Sequence, residues 1–476
     1  MSVLEHLQPY SVFRYFEELC AIPHGSGHTK AISDYLVAFA AARGLACRQD
    51  GANNVIIWKS GSAGYEDAAP VILQGHMDMV CESDGSRDLL HEGLSLAIDG
   101  DMIYARGSTL GGDDGIAVAM ALAILDDDEL PHPPLECVFT VDEEIGMLGA
   151  AALETDDLKG RIMLNMDSED EGVFTVGCAG GITASCILPV KREAFTGHAL
   201  SVSVGGLRGG HSGAEIHKGR ANADMLMGRV LQAIASRCEM RLITVSGGLK
   251  DNAIPRECTA EVLVSDALAA REACAELEAA LRNEYAVTDP EVTVTVAAGQ
   301  GGAAMDKAST DRAVCMLCCL PNGIYAMSAD IEGLVQTSLN MGILTTDADA
   351  IRASFCVRSS IDSQKYMLCR RMESLMAQLS GHVSYAGDYP GWQYRQTSPL
   401  RDLMTAVFTE QYGYAPKIEA IHAGVECGLF CGKLQGLDCV SFGPDLKDIH
   451  TTRERMSISS VQRVWQMTLE VLKRLK

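Results

Sequence analysis

No apolar stretch in this 476-residue chain is long enough to span a bilayer. The longest wholly apolar run, residues 116–125, falls far short of the roughly 20 residues that a spanning helix needs. The opening residues, Met-Ser-Val-Leu-Glu-His-Leu-Gln-Pro-Tyr, carry neither a basic stretch nor an uninterrupted apolar core, so the start does not read as a secretory signal. Positive charge is in deficit: 39 Lys and Arg against 63 Asp and Glu leave a formal charge of −24. Such a surface repels phosphate backbones and anionic lipid, which argues against nucleic acid and membrane partners. The 17 cysteines are odd in number and follow no repeating framework, a usage that fits buried thiols in a reducing cytoplasm. Cys315-x-x-Cys318-Cys319 has no second pair or nearby His to complete a zinc site and reads as one face of a helix.

What is present is an ordinary globular composition, 47% apolar and 21% charged, with length enough for two or three domains. Helices are expected over 11–21 and 29–43, the second stopped by Gly44, with His24 and His28 as surface residues in the link between them. Residues 71–74 read as a buried strand running into Gly75-His-Met-Asp78. Asp99-Gly100 marks a hairpin within 94–106, and the glycine-rich loop 107–115 leads into a small-residue helix over 116–125. A glycine-rich loop before a helix suits phosphate, but Asp113 and Asp114 at this helix start would repel phosphate and favour a cation.

Two more apolar strands, 135–141 and 162–166, run into Asp142-Glu143-Glu144 and Asp167. In an open parallel sheet, ligands bind beyond the carboxyl ends of the strands, so three strands ending in His or acid converge on one place. From about residue 183 the order becomes β-α-β-β-α-β and then partly repeats between 310 and 385, which predicts an inserted antiparallel α+β domain of two related halves. The α/β texture returns with a helix over 400–412, a short strand over 439–442, His450 and a closing helix over 458–475. The expected architecture is therefore α/β: a mixed, mostly parallel sheet with helices on both faces, formed by residues 1–183 and 396–476, and a lid or dimerisation domain over 184–395.

His76, Asp113, Glu144, Asp167 and His450 together offer two nitrogens and three carboxylates. Gathered without a cation, each pair of carboxylates about 4 Å apart would repel by roughly 4 kcal/mol at an effective dielectric of 20. Two divalent ions would balance three carboxylates and a hydroxide. The mixed donor set suits zinc, with cobalt or manganese as alternatives.

Gly75-His-Met-Asp78, Ser108-Thr-Leu-Gly-Gly-Asp113-Asp-Gly115, Asp142-Glu-Glu144, Asn165-Met-Asp167 and His450 resemble the two-zinc exopeptidases that include aminoacylase, peptidase T and carboxypeptidase G. Further segments resemble the branch of that family that cleaves Xaa-His and β-alanyl-histidine-like dipeptides. They are Gly177-Cys-Ala-Gly-Gly181, Gly209-Gly-His-Ser-Gly213, Asn252-Ala-Ile-Pro-Arg256, Tyr389-Pro-Gly-Trp392 and Ile421-His-Ala-Gly-Val-Glu-Cys-Gly428, so the resemblance covers nearly the whole chain.

The resemblance implies that Asp113 bridges two metals, with His76 and Asp167 at one and Glu144 and His450 at the other. Asp78 would orient His76, and Glu143 would take the proton of a metal-bridging water. His211 would steady the oxyanion, while Asn252, Arg358 and Gly424 would contact substrate. Each role has a rival. Asp114 could bridge in place of Asp113, the His211 motif could be a tight turn, and Arg358 could form a structural ion pair. For the whole protein the implied reading is a cytoplasmic, homodimeric dipeptidase. The alternatives are a deacylase of N-acyl amino acids, an aminopeptidase or carboxypeptidase of the same family, and a non-catalytic metal-binding protein that keeps the fold. The doubled lid leaves open whether His211 serves its own subunit or a partner.

Overall fold

A computed structural model describes residues 2–476. It divides into two compact units, one running to Gly177 and taking in Tyr394–Ala420 and Val425–Lys476, the other comprising Cys178–Gln393 and Ile421–Gly424.

The first unit is built on an eight-stranded mixed sheet. Its centre is four parallel strands in the order Leu135–Thr140, Val71–His76, Ile162–Asn165 and Asp438–Ser441. Strands Val71–His76 and Leu135–Thr140 are buried along their whole length, as continuous apolar runs in a covered parallel sheet require. Antiparallel strands Val55–Lys59 and Ala46–Gln49 extend one side, and Val173–Cys178 followed by Lys417–Ile421 the other. Register sets where the strands stop: His76 pairs with Thr140, Gln74 with Asn165, and Asn165 with Ser441. The carboxyl ends of all four central strands thus lie within two residues of one another, His76 and Thr140 reaching two positions past Asn165 and Ser441.

Helix Gly112–Asp126 is apolar nearly all round and buried throughout its length after the first turn. A helix with no polar face must be enclosed, and this one packs against Tyr10–Cys20 and strand Val71–His76. The strongly amphipathic closing helix Ile458–Arg474 buries Val461, Val464, Val471 and Leu472 and packs against Pro399–Tyr412. The hairpin expected at Asp99-Gly100 is formed by Leu96–Asp99 and Met102–Ala105, with Gly100 at φ +62°.

The second unit holds a nine-stranded sheet: two matching halves of four strands each, with Gly323–Met327 pairing beside Val335–Thr346 as the ninth. In one half, strands His198–Gly205, Met240–Gly247, Cys258–Val264 and Thr293–Ala298 alternate with helices Ala223–Ala235 and Ala267–Glu284. Their spatial order is Thr293–Ala298, His198–Gly205, Cys258–Val264, Met240–Gly247. The other half repeats that order with His382–Tyr389, Gly180–Pro189, Ala350–Ser359 and Val335–Thr346, and supplies helices Lys307–Cys319 and Asp362–Gln378. The first half is inserted between the opening strand and first helix of the second, and the two join where Gly247 pairs with Leu344. Cys315, Cys318 and Cys319 lie on helix Lys307–Cys319, as their spacing suggests. Among the described residues no helix is long and apolar enough to cross a membrane.

Candidate active site

Because the central strands end within two residues of one another, the residues at and after their ends meet. His76 closes its strand with its Nε2 3.1 Å from Asp113 Oδ1 and 3.6 Å from Asp167 Oδ1. His450 Nε2 lies 2.9 Å from Glu144 Oε1 and 3.3 Å from Asp113 Oδ2. The two oxygens of Asp113 therefore face the two imidazoles, and each imidazole has a further carboxylate of its own.

Three donor groups are each compact enough for a single ion: Asp113, Glu144 and His450; His76, Asp114 and Asp167; and His76, Glu143 and Glu144. The second includes Asp114 where the contacts of His76 favour Asp113. Asp114 Oδ2 accepts the backbone N–H of His76 at 3.3 Å and lies so close to Gly75 that a β-carbon there would stand 2.5 Å from it. That contact explains the glycine before His76. Asp113 and Asp114 have non-helical dihedrals at the mouth of helix Gly112–Asp126, which turns them to different surroundings.

Asp78 does more than orient the imidazole. The close partner of His76 Nδ1 is the Asp78 backbone carbonyl at 2.9 Å, with the carboxylate at 3.5 Å. The carboxylate accepts the N–H of Glu143 at 3.1 Å and of Glu144 at 3.4 Å, and the hydroxyl of Ser26 at 2.8 Å. It thus fixes the turn that carries both glutamates. Burial alone would raise its pKa, but the hydrogen bonds from His76, Ser26 and the Glu143 N–H hold it below the ordinary range.

The protonation pattern shows how much negative charge has been gathered. Burial pushes the Glu143 carboxyl up to about 8, against the pull of His76 and with the help of Asp167, Glu144 and Asp113. Burial likewise pushes Asp167 up to about 7. His450 is raised to about 10 by its hydrogen bonds to Asp113 and Glu144. Burial opposes a charge on His76, yet Asp113, Asp167 and Asp78 hold its pKa well above the usual value. Extra protons on bases and acids alike are how such a cluster balances itself when no cation is present. The donor set of two imidazoles and three carboxylates therefore fits a pair of divalent ions.

Two buried carboxylates that the sequence reading passed over support this cluster. Glu454 accepts the backbone N–H groups of Leu110, Gly111 and Gly112 at 2.7, 3.1 and 2.8 Å, gripping the loop that delivers Asp113. Glu426 lies beneath the strand ends, hydrogen-bonded to Gln74 and Thr140. Their only signal in the sequence was a place near His450 and inside the Ile421–Gly428 motif. His24, expected at the surface, is buried, and its Nδ1 contacts the Ile22 carbonyl at 2.5 Å. The segment after the first helix folds under Met79, whose N–H it receives on the His24 carbonyl.

The other residues singled out in the sequence belong to the second unit. His211 pairs with Ala253 in a two-residue ladder, which sets Asn252 next to it: the Asn252 carbonyl accepts the N–H of Ser212 at 2.8 Å. His211 Nδ1 accepts the N–H groups of Gly213 and Ala214 at 3.1 and 3.0 Å. A nitrogen that accepts carries no proton, so the neutral ring bears its proton on Nε2 as a donor. Burial and the nearby Arg358 lower the pKa of His211 and keep the ring neutral. Arg358, on strand Ala350–Ser359, donates to the Tyr389 hydroxyl at 3.3 Å; its buried Nε has no acceptor, and it forms no ion pair among the described residues. The Tyr389 ring lies against Gly424, where a β-carbon would stand 2.7 Å from it. Glycine at 424 is what lets the ring sit there. Tyr389 thus touches both Arg358 and Gly424; the sequence pattern assigned it no role, although it opens one of the quoted motifs. His422 is also buried, its Nε2 2.7 Å from Ser338 Oγ, and burial lowers its pKa to about 3.

Residues 72–474 match the family described as Peptidase family M20/M25/M40. The chain belongs to that family and is a peptide hydrolase. It is similar to the cytosol non-specific dipeptidase of Escherichia coli (strain K12), being 36% identical over 482 residues that cover 99% of each chain. Its structure is also similar to the crystal structure of aminoacylhistidine dipeptidase from Vibrio alginolyticus. There the TM-score is 0.92 at 35% identity, over 99% of this chain and 98% of that one. Aminopeptidase PepT from Bacillus cereus matches with a TM-score of 0.58 at 15% identity, covering 98% of this chain and 99% of that one, a likeness of fold alone.

Proposed function

We propose that this peptidase hydrolyses unblocked dipeptides, Xaa-His and β-alanyl-histidine among them, at a centre of two divalent metal ions. The observation that carries the reading is Asp113 facing both His76 and His450, each with its own second carboxylate. Similarity to two dipeptidases over nearly the whole chain supports the substrate class.

Asp113 would be the shared ligand, with His76 and Asp167 completing one site and Glu144 and His450 the other. Zinc is the metal this set suits best, with cobalt and manganese as alternatives. When bound, the ions supply Lewis acidity toward the scissile carbonyl and make water acidic enough to attack at neutral pH. Glu143 is the general base: it is held by Asp78 through its backbone N–H, and burial makes its carboxylate avid for a proton. It takes the proton of the attacking water and returns it to the leaving amine. As the family resemblance implies, His211 would steady the oxyanion, Arg358 would bind the substrate carboxylate through its guanidinium fork, and Asn252 and Gly424 would contact substrate. We assign the protein to the cytoplasm, as the name of the Escherichia coli relative suggests, and to a homodimer.

Glu143→Gln tests the mechanism. The variant should bind two metal equivalents while kcat falls on the order of 10²–10⁴-fold. Wild-type turnover would remove Glu143 as the base. A panel of β-alanyl-histidine, α-dipeptides, a tripeptide and an N-acetyl amino acid tests the substrate class, and cleavage of the acylated compound alone would make this a deacylase.

A further inference from the structure

One layer below the metal-facing side chains lies a second, fully buried polar cluster. Alternate residues of a strand share a face, so Gln74 lies under His76, while Asn165 is the last strand residue before Met166 and Asp167. Gln74 and Asn165 are register partners, and Asn165 Nδ2 donates to Gln74 Oε1 at 2.6 Å. Gln74 Nε2 donates to Glu426 Oε2 at 2.6 Å. The hydroxyl of Thr140, three residues before Glu143, donates to the same oxygen at 2.7 Å. Gln74 Nε2 also reaches Thr140 Oγ1 at 3.2 Å. Glu426 comes from elsewhere, the first turn of helix Glu426–Lys433.

We propose that Glu426 is a positioning residue for the hydrolysis, its Oε2 being the common anchor that holds the ends of strands Val71–His76, Leu135–Thr140 and Ile162–Asn165 in register so that His76, Glu143 and Asp167 converge. This rests on the reading of those three residues as metal ligands and base. Stability alone does not account for such a group. Glu426 is wholly buried and its other oxygen, Oε1, has no hydrogen-bond partner, so it retains part of the desolvation penalty of an acid where an apolar side chain would have none. Its return is directional: hydrogen bonds to one oxygen fix two strands directly and a third through Gln74. Reacting groups need placement to within about 0.5 Å, which apolar packing beneath the strands would not supply.

The experiment compares Glu426→Gln, Glu426→Leu and Thr140→Val in the full chain. It measures kcat and KM on β-alanyl-histidine, manganese(II) binding to the metal-free protein by calorimetry, and melting of the metal-free protein. Glu426→Gln keeps an acceptor oxygen and should stay within about threefold of wild type in kcat and manganese affinity. Glu426→Leu, which leaves a Gln74 amide hydrogen and the Thr140 hydroxyl without their acceptor, should melt lower when metal-free, and well below that melting point it should still bind manganese 10- to 100-fold more weakly and lose kcat with little change in KM. Thr140→Val, which removes one donor at nearly constant volume, should fall between them and decides the matter if Glu426→Leu does not fold. Wild-type manganese affinity and kcat in Glu426→Leu, or in Thr140→Val where Glu426→Leu fails to fold, overturns the anchor. So does damage in Glu426→Gln equal to that in Glu426→Leu. Failure of the wild-type protein itself to bind manganese or cleave the dipeptide would instead overturn the functional reading, and the anchor with it.

Discussion

Asp113 Oδ1 stands 3.1 Å from His76 Nε2, and the other oxygen of the same carboxylate stands 3.3 Å from His450. One short side chain thus links residues 374 positions apart (450 − 76) in a chain of 476.

Asp113 and Asp114 should respond differently to the same substitution. Asp113→Asn removes charge from the carboxylate that His76 and His450 hold well below the usual range against its burial, and metal affinity should fall at least about 100-fold. Burial, with Asp167 nearby, holds the Asp114 carboxyl well above its usual range, and its Oδ2 already accepts the His76 N–H, so Asp114→Asn should keep most of the metal binding. Metal titration of both purified variants checks this; the reverse order would make Asp114 the shared ligand.

Stability without metal should fall as pH rises. Glu143 moves from an ordinary 4.5 up to about 8, Asp167 from 3.8 up to about 7, and His450 from 6.5 up to about 10. In each case the folded state binds more protons than the unfolded state between the two values, so the stability these groups contribute is lost as pH climbs through that window. Chelated protein should therefore melt at progressively lower temperature from pH 5 to pH 8. Metal, which displaces these protons, should stabilise more at pH 8 than at pH 5. A flat melting profile for the chelated protein would count against the proton-loaded cluster.

Arg358→Ala should raise KM for free dipeptides by roughly 10- to 150-fold, the equivalent of about 1.5–3 kcal/mol for hydrogen bonds to a charged group. Substrates whose carboxyl end is amidated should be nearly indifferent to the change. Steady-state kinetics on a dipeptide and its amide separates the cases, and equal loss on both would assign Arg358 to structure instead.

Glu454→Gln is nearly isosteric, yet it turns an amide NH₂ toward backbone N–H donors. It should destabilise the protein by about 1.5–3 kcal/mol and weaken metal binding through the displaced Asp113 loop. Denaturant unfolding with a parallel metal titration tests both; unchanged values would mean that the loop holds its shape without the clamp.

Much of this site was legible in the sequence because its signals are local. A buried strand followed at once by His76, by Asp142-Glu143-Glu144 or by Asp167 announces both the strand and what stands at its end, and side-chain type limits the chemistry. The doubling of the inserted unit also shows in the repeated order of helices and strands. The sequence order did not show that one half is threaded into the other, because pairing such as Gly247 with Leu344 joins residues nearly a hundred positions apart.

By itself, then, the sequence determined which donors are available and which strand ends carry them, since a run of side chains dictates its own periodicity and termination. Only the tertiary structure decided which of two adjacent aspartates faces both histidines, that His24 is buried, that Glu426 lies beneath the strand ends, and that Glu454 holds the Leu110–Gly112 loop. Those outcomes depend on register between strands and on contacts spanning some 340 residues, as between Glu454 and the Leu110–Gly112 loop, which no local pattern encodes.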